Sequence, residues 1–340
     1  MRRGEQGFAA PLVIATIALL ALSVLLAAQV ASDQRSRLSR ASDSAANDIA
    51  AANATARATF ILLTEPMGGR GPVVGGDRTA VRDGAQSSTP GAPPIFVLDG
   101  RPYRHANLIV QAQDAAGLVN LNSGDAPAIA RLAELAGAAP SAAERLADAL
   151  ADYVDADDLT RPYGAEAHAQ GGARNAPITH VASVDGAHGW RDSEVRRDVF
   201  AANAAALPQA QAFNANTAPE IALMAMLDIN SRDAAYVIDA RENQPFQSAE
   251  DLTARTGVRI DEGGAGVGAH PARLVRLTLR NASDVRRAAL AQEVWITLAP
   301  DDAARPFGVK QRAAIPVAAL ERNDGEPLPA SSQLLTARER

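Results

Sequence analysis

The chain of 340 residues contains no cysteine. That excludes disulfide scaffolds, thiolate metal centres and cysteine nucleophiles. Aromatic residues make up only 4%, and lysine occurs once, as Lys310. An excess of basic charge is also missing. The net charge is −6, whereas a general nucleic-acid binder needs a basic surface to displace counterions. The five histidines, His105, His168, His180, His188 and His270, show no His-x-x-x-His spacing for a metal. Ser183 and Asp185 lie between His180 and His188, but the chain has no Gly-x-Ser-x-Gly elbow. Catalysis is therefore not expected. With 47% apolar residues, 25 Gly and 20 Pro, the composition is globular and allows one large or two ordinary domains.

Charge is absent from Gln6 to Ser32, and only Pro11, Thr16 and Ser23 interrupt the apolar run Phe8 to Ala28. As a helix that run is about 31 Å long, enough to cross a bilayer core. A cleaved secretory signal would have a shorter apolar region and a small-x-small cleavage site, so a retained membrane helix is expected. Arg2 and Arg3 favour a cytoplasmic N-terminus, while Arg35, Arg37 and Arg40 on the other flank oppose it. Beyond Ser32, Leu38, Ala41, Ala45, Ile49, Ala52, Ala56, Phe60 and Leu63 recur at steps of three and four. No Gly or Pro lies between Pro11 and Pro66. One continuous helix from about Phe8 to Thr64 is expected, ended by Pro66, Gly68 and Gly69.

Residues 67–94 are rich in Gly, Pro, Ser and Asp and read as a loop. Strands are expected at Ile95 to Leu98, Ala106 to Gln113 and Leu118 to Leu121, with Asp99-Gly100 and Asp114 to Gly117 as turns. Helical periodicity begins near Asp125, with Ile129, Leu132 and Leu135 on one stripe and Gly137 as a stop. Ser141 and Glu144 form a capping-box pattern before Leu146, Leu150 and Val154. Residues 155–199 are irregular and polar. Phe213 to Arg259 is helical, with Thr217 as a cap, Pro219 early in the helix and a break at Pro245-Phe246. Gly263 to Gly268 has no strand-to-helix context for a phosphate cradle and reads as a flexible connection. Arg273 to Leu279 and Leu290 to Leu298 look like an antiparallel pair joined around Asn281 to Asp284. Residues 320–340 are polar, and the expected mobile tail begins at 301. One sheet carrying a long helical insertion accounts for this order; two separate domains is the alternative.

Several segments resemble one known family. A basic leader ending in Gly7, followed by Phe8 and an unbroken apolar helix, resembles the leaders of type IV pilins and pseudopilins. That resemblance implies prepilin-peptidase cleavage between Gly7 and Phe8, with methylation of the new amino terminus at Phe8. The family normally carries Glu at the fifth mature position, which here is Leu12. Lack of that Glu is characteristic of the type II secretion minor pseudopilin K family (GspK). Asp114-Ala-Ala-Gly-Leu-Val-Asn-Leu-Asn122 resembles that family's Asp-x-x-Gly-x-x-Asn-Leu-Asn segment. Leu150-Ala-Asp-Tyr-Val-Asp-Ala-Asp-Asp158, then Gly164-Ala-Glu166, resembles its acidic helix-end motif.

The resemblance implies an α+β fold: a long N-terminal helix, transmembrane then amphipathic, packed on a small antiparallel pilin-like sheet with a large helical insertion. The expected parts are a leader over 1–7, a helix over 8–66, a sheet from 67–122 and 273–300, and an insertion over 123–272. A tail over 301–340 completes the chain. The implied role is a non-enzymatic minor pseudopilin at the tip of a periplasmic pseudopilus, anchored by a single pass in the bacterial inner membrane. Implied partners are the I and J minor pseudopilins, the major pseudopilin, the inner-membrane assembly platform and the prepilin peptidase.

Two further segments admit more than one reading. Asp155, Asp157, Asp158 and Glu166 are hard oxygen donors suited to Ca²⁺, although the EF-hand pattern is absent. The other reading is a solvated loop with Asp155 at a helix C-terminus, an unfavourable place without a cation. The family's association with calcium favours Ca²⁺. Asn214 to Glu220, Leu227 to Ser231 and Pro245 to Leu252 resemble a helix-hairpin-helix repeat. Its hairpin lacks Gly and adds Asp228, so close approach to a phosphate is disfavoured and no nucleic-acid partner is expected. The competing functions are a membrane-anchored DNA-binding helix-hairpin-helix receptor, a minor pilin of a type IV pilus and a tethered periplasmic hydrolase.

Overall fold

A computed structural model describes residues 9–73, 95–164, 174–208, 211–260, 266–284, 289–299, 304–317 and 325–329. The chain divides into two compact units, Met1–Ala52 and Asn53–Arg340. Helix α1, Ala9–Thr64, belongs to the first unit through Ala52 and to the second from Asn53.

In the first unit the large apolar side chains among the described residues are exposed, including Leu12, Ile17, Leu20 and Leu25. The hydroxyls of Thr16 and Ser23 donate to Val13 O and Leu19 O, each at 2.8 Å. Their polar groups are thus satisfied within the helix and fit an apolar medium. In the second unit Ala54, Ala58, Ile61 and Leu62 are buried. The expected stripe through Ala52 and Ala56 is not the buried one; both alanines are exposed. Alanines lie on several faces here, so composition offers little contrast, and bulky Ile61 and Leu62 select the packed face.

The second unit is built on a six-stranded sheet. Its strands are β1 (Asp99–His105), β2 (Leu108–Asp114), β3 (Leu274–Asn281), β4 (Ala289–Thr297), β5 (Gly308–Val317) and β6 (Glu326–Pro327). Their spatial order is β5-β4-β3-β2-β1-β6. All neighbours pair antiparallel except β6, which runs parallel to β1. The chain leaves the sheet after β2 and returns in β3, its neighbour, so a helical insertion separates two adjacent central strands. This is the α+β arrangement expected from the sequence.

Several local expectations change. Ile95 to Leu98 is not a strand, although Phe96, Val97 and Leu98 are buried. Asp99-Gly100 is not a simple turn: Gly100 has φ +80°, and the β1–β2 register shifts between Asp99 and Pro102. A left-handed glycine at a bulge bends the strand without ending it. The C-terminal region from 301, expected to be mobile, supplies β5 along the full length of β4. It also supplies β6, followed by buried Leu328. Arg57 Nε donates to Pro329 O at 2.7 Å, so this segment is held by a long-range bond. Ala313-Ala-Ile-Pro-Val317 gives too few large apolar residues for periodicity to show the strand.

The insertion contains α2 (Ala126–Leu135), α3 (Pro140–Val154), α4 (Arg197–Asn203), α5 (Glu220–Leu227), α6 (Ser231–Asn243) and α7 (Ala249–Thr256). Asp125 caps α2 by accepting from Ala128 N. Ser141 does not cap α3; the helix begins at Pro140, whose fixed φ and missing N–H suit a first turn. Val119-Asn120 pairs with Ala204-Ala205, so the third expected strand belongs to the insertion. Val267-Gly268 pairs with Phe213-Asn214, which gives the end of the glycine-rich connection a fixed place. Residues 155–199, read as irregular and polar, contribute Trp190, which is fully buried. Its indole donates to Leu146 O at 2.8 Å and its ring meets Phe200 edge-on at 4.9 Å. A lone indole in a polar stretch carries no periodic signal, yet it fills the space among α2, α3 and α4.

Candidate functional site: the insertion neck and the acidic loop

Asp114 ends β2 at the point where the insertion departs. It is fully buried. Its Oδ1 accepts from Ala116 N at 3.0 Å and Ala272 N at 2.7 Å. Its Oδ2 accepts from Thr217 Oγ1 at 2.7 Å and Asn214 Nδ2 at 2.9 Å. One carboxylate therefore binds the outgoing chain, the returning chain and two side chains of the insertion. Burial pushes its pKa up to about 6, against the four donors that pull it down. Thr217, expected to cap a helix, is committed to this junction instead; Pro219 precedes α5 without a side-chain cap. A Cβ at Gly117 would sit 2.8 Å from Thr217 Oγ1 and 2.9 Å from Ala218 N. The Asp-x-x-Gly spacing thus pairs an acceptor with a residue small enough for the insertion to close on it.

The degenerate hairpin serves the same junction. Asn216 Oδ1 accepts from Phe246 N at 2.7 Å, and its Nδ2 donates to Phe246 O at 2.9 Å. The Asn214-Ala-Asn216 pattern thereby joins the neck to the α6–α7 connection. Asp228 follows α5 in the left-handed conformation with φ 51°, where Gly would have been expected. Its exposed carboxylate lies 3.7 Å from Arg131, which places negative charge at the turn that a phosphate-gripping hairpin leaves open.

A second polar cluster lies at the neighbouring edge of the unit. Buried Arg70 bonds Glu242 bidentately and lies 3.4 Å from Asp99. Arg101 contacts Asp99 at 2.6 Å and Glu242 at 2.5 Å. The network connects the segment after α1, strand β1 and helix α6. Arg276, also buried, donates to Ala201 O and Ala202 O at the end of α4. A cation at a helix C-terminus is electrostatically favourable.

Among the described residues, the expected calcium residues Asp155, Asp157 and Asp158 each have partners of their own. Asp155 follows α3, and its Oδ2 lies 2.5 Å from Arg161 Nη1. Asp157 Oδ1 accepts from Leu159 N at 2.9 Å. Asp158 Oδ1 lies 3.4 Å from Asn175 Nδ2. Asp155 Oδ1 is buried and has no hydrogen-bond partner among the described residues, whereas Ca²⁺ takes six to eight oxygens. Among the described residues no group of three His, Asp or Glu could hold a metal ion. Glu166, Gly7 and Phe8 lie outside the described residues. Leu12 is on α1 and exposed. His180 Nδ1 accepts from Ala182 N, and Asp185 pairs with Arg197, so each is engaged away from Ser183.

Asp114, Arg161, Trp190 and Arg276 carry this architecture without having been singled out as sites. For Asp114 the signal was present in the Asp-x-x-Gly segment. For Arg161 it was the unfavourable acidic helix end, which called for a cation.

Comparison with known proteins follows the same outline. Residues 106–199 match the family model described as type II secretion system protein K. That segment contains the β1–β2 turn, the Asp114 neck, α2, α3 and the acidic loop. No curated protein matches the chain. Among solved structures, a chain of the GspK-GspI-GspJ complex from the enterotoxigenic Escherichia coli type 2 secretion system has a similar fold. Identity is 14% and the TM-score 0.50, over 83% of this chain and 98% of that chain. Residues 106–199 are thus similar to type II secretion system protein K, and a likeness of fold extends over most of the chain.

Proposed function

We propose that this protein is a minor pseudopilin at the tip of a periplasmic type II secretion pseudopilus, where it initiates or caps assembly. The observation that carries the reading is the joining of two features in one chain. One is the long helix α1, whose apolar half is exposed and lacks an acidic residue from Ala9 to Ser32. The other is a protein K segment inserted at a sheet neck. The exposed apolar half suits an inner-membrane precursor that later packs against neighbouring helices by van der Waals contact. Cleavage between Gly7 and Phe8, with methylation of Phe8, would release it. An acidic residue in such a helix is expensive unless paired. A subunit with Leu12 at the fifth mature position makes no such pair with a neighbour, which fits the end of a fibre. The I and J components, named in the similar complex, are the proposed tip partners. The major pseudopilin, assembly platform and prepilin peptidase would act with them. The chemistry is assembly, not catalysis.

Two measurements test the reading. Terminal sequencing of membrane-extracted protein should give methylated Phe8. Co-expression with the I and J components from the same genome should yield a stable three-way complex. A mature protein trimmed beyond Ala28, or one that binds DNA in a salt-dependent manner and ignores I and J, overturns it.

A further inference from the structure

Helix α3 ends with acidic side chains where the helix dipole is already negative. Asp152, in its last turn, is fully buried, and Asp155 follows directly. A buried carboxylate at a helix C-terminus needs a compensating cation. The structure supplies one from the chain itself. Arg161 Nη1 lies 2.7 Å from Asp152 Oδ1 and 2.5 Å from Asp155 Oδ2. The Arg161 amide also donates to Asp152 Oδ2 at 3.1 Å. Two residues on, the Tyr163 amide donates to Asp148 Oδ2 at 3.2 Å. Gly164 N donates to Arg161 O at 3.0 Å, closing a tight turn. A Cβ on Gly164 would lie 1.7 Å from Asp152 Oδ2, so only glycine lets the backbone cover that carboxylate. Asp148, Asp152 and Asp155, spaced i, i+4 and i+7, form one stripe along α3. The 161–164 turn is laid along that stripe.

We infer that Arg161 is the resident cation of this acidic loop, and that the loop keeps its fold without a divalent metal. The guanidinium occupies the space between Asp152 and Asp155, the second of which is one of the expected metal residues. It also brings the backbone amides of its own turn, which a metal would not. Its charge is reinforced first by the hydrogen bond to Asp155 and then by the one to Asp152. The inference stands on this loop alone and does not depend on the pseudopilin reading.

The test is thermal unfolding of the full chain in detergent, in millimolar Ca²⁺ and in excess EGTA. The wild-type midpoint should be the same in both within about 1 °C. Arg161→Gln should lower the midpoint in EGTA by about 3–6 °C, the shift expected when a domain of this size loses one buried charge contact. It should also open the chain to proteolysis between Leu159 and Gly164. Should Arg161→Gln fail to fold, Arg161→Lys decides: a midpoint independent of Ca²⁺ and near wild type supports the inference. A wild-type midpoint that rises by several degrees with Ca²⁺, or an Arg161→Gln chain as stable in EGTA as wild type, overturns it.

Discussion

The two units place polar and apolar groups in opposite ways. In Met1–Ala52 the large apolar side chains among the described residues are on the outside, with Leu12, Ile17 and Leu20 each more than half exposed. In Asn53–Arg340 several charged groups are on the inside, with Asp114 and Asp152 at 0% exposure and Arg276 at 7%. The first pattern costs free energy in water and suits an apolar medium or a helical neighbour. The second is tolerable because these charges meet hydrogen-bond partners, from the nearby turn for Asp152 and from distant segments for Asp114 and Arg276. One unit is therefore specified by what surrounds it, and the other by what it encloses.

The comparison can be broken most severely at Trp190. Trp190→Ala should destabilise the second unit by about 4 kcal/mol, through lost burial and the cavity left behind. Its unfolding midpoint in denaturant would report this, while membrane association of the chain should be unchanged. Asp114→Ala leaves four donors without their acceptor and should cost about 3 kcal/mol. Its pH dependence has a definite sign. The folded pKa of about 6 lies above the ordinary 3.8, so the folded state binds more protons between those values. Wild-type stability from this group is greatest below pH 4, declines as pH rises through about 6 and is level above. The deficit of Asp114→Ala should therefore be largest near pH 4 and narrow toward pH 7, as read by denaturant titrations at each pH.

Substitution in the first unit should have the reverse signature. Ile17→Arg places a charge near the middle of the apolar run and should penalise membrane insertion by about 3 kcal/mol. A carbonate-extraction assay would show the loss, and the melting of the second unit should not move. Leu328→Ala is the mildest change. It trims a buried side chain at a sheet edge and should cost about 2 kcal/mol. A fall in the midpoint of that size would confirm that the residues after β5 are part of the folded unit.

Much of the architecture was legible because it is local. The missing Gly and Pro from Leu12 to Glu65 define α1, and the Ile129, Leu132 and Leu146, Leu150 stripes define the α2 and α3 cores. The sheet with an insertion followed from strands before Asn122 and after Ala272. The neck was half legible, since Asp114 and Gly117 stand in the Asp-x-x-Gly segment while their partners Asn214, Thr217 and Ala272 are about 100 or more residues away. Strand β5 was not legible because its apolar residues are few and unperiodic and its place depends on pairing with β4.

The sequence by itself determined the helix and its apolar half, since both depend on backbone propensity and on run length, which need no partner. Only the tertiary structure decided which face of α1 packs, that Thr217 serves Asp114 instead of a helix end, and that Arg161 closes the acidic loop. Those outcomes depend on which of several chemically able groups arrives within hydrogen-bond distance. Spacing along the chain does not record that distance once the chain has folded back on itself.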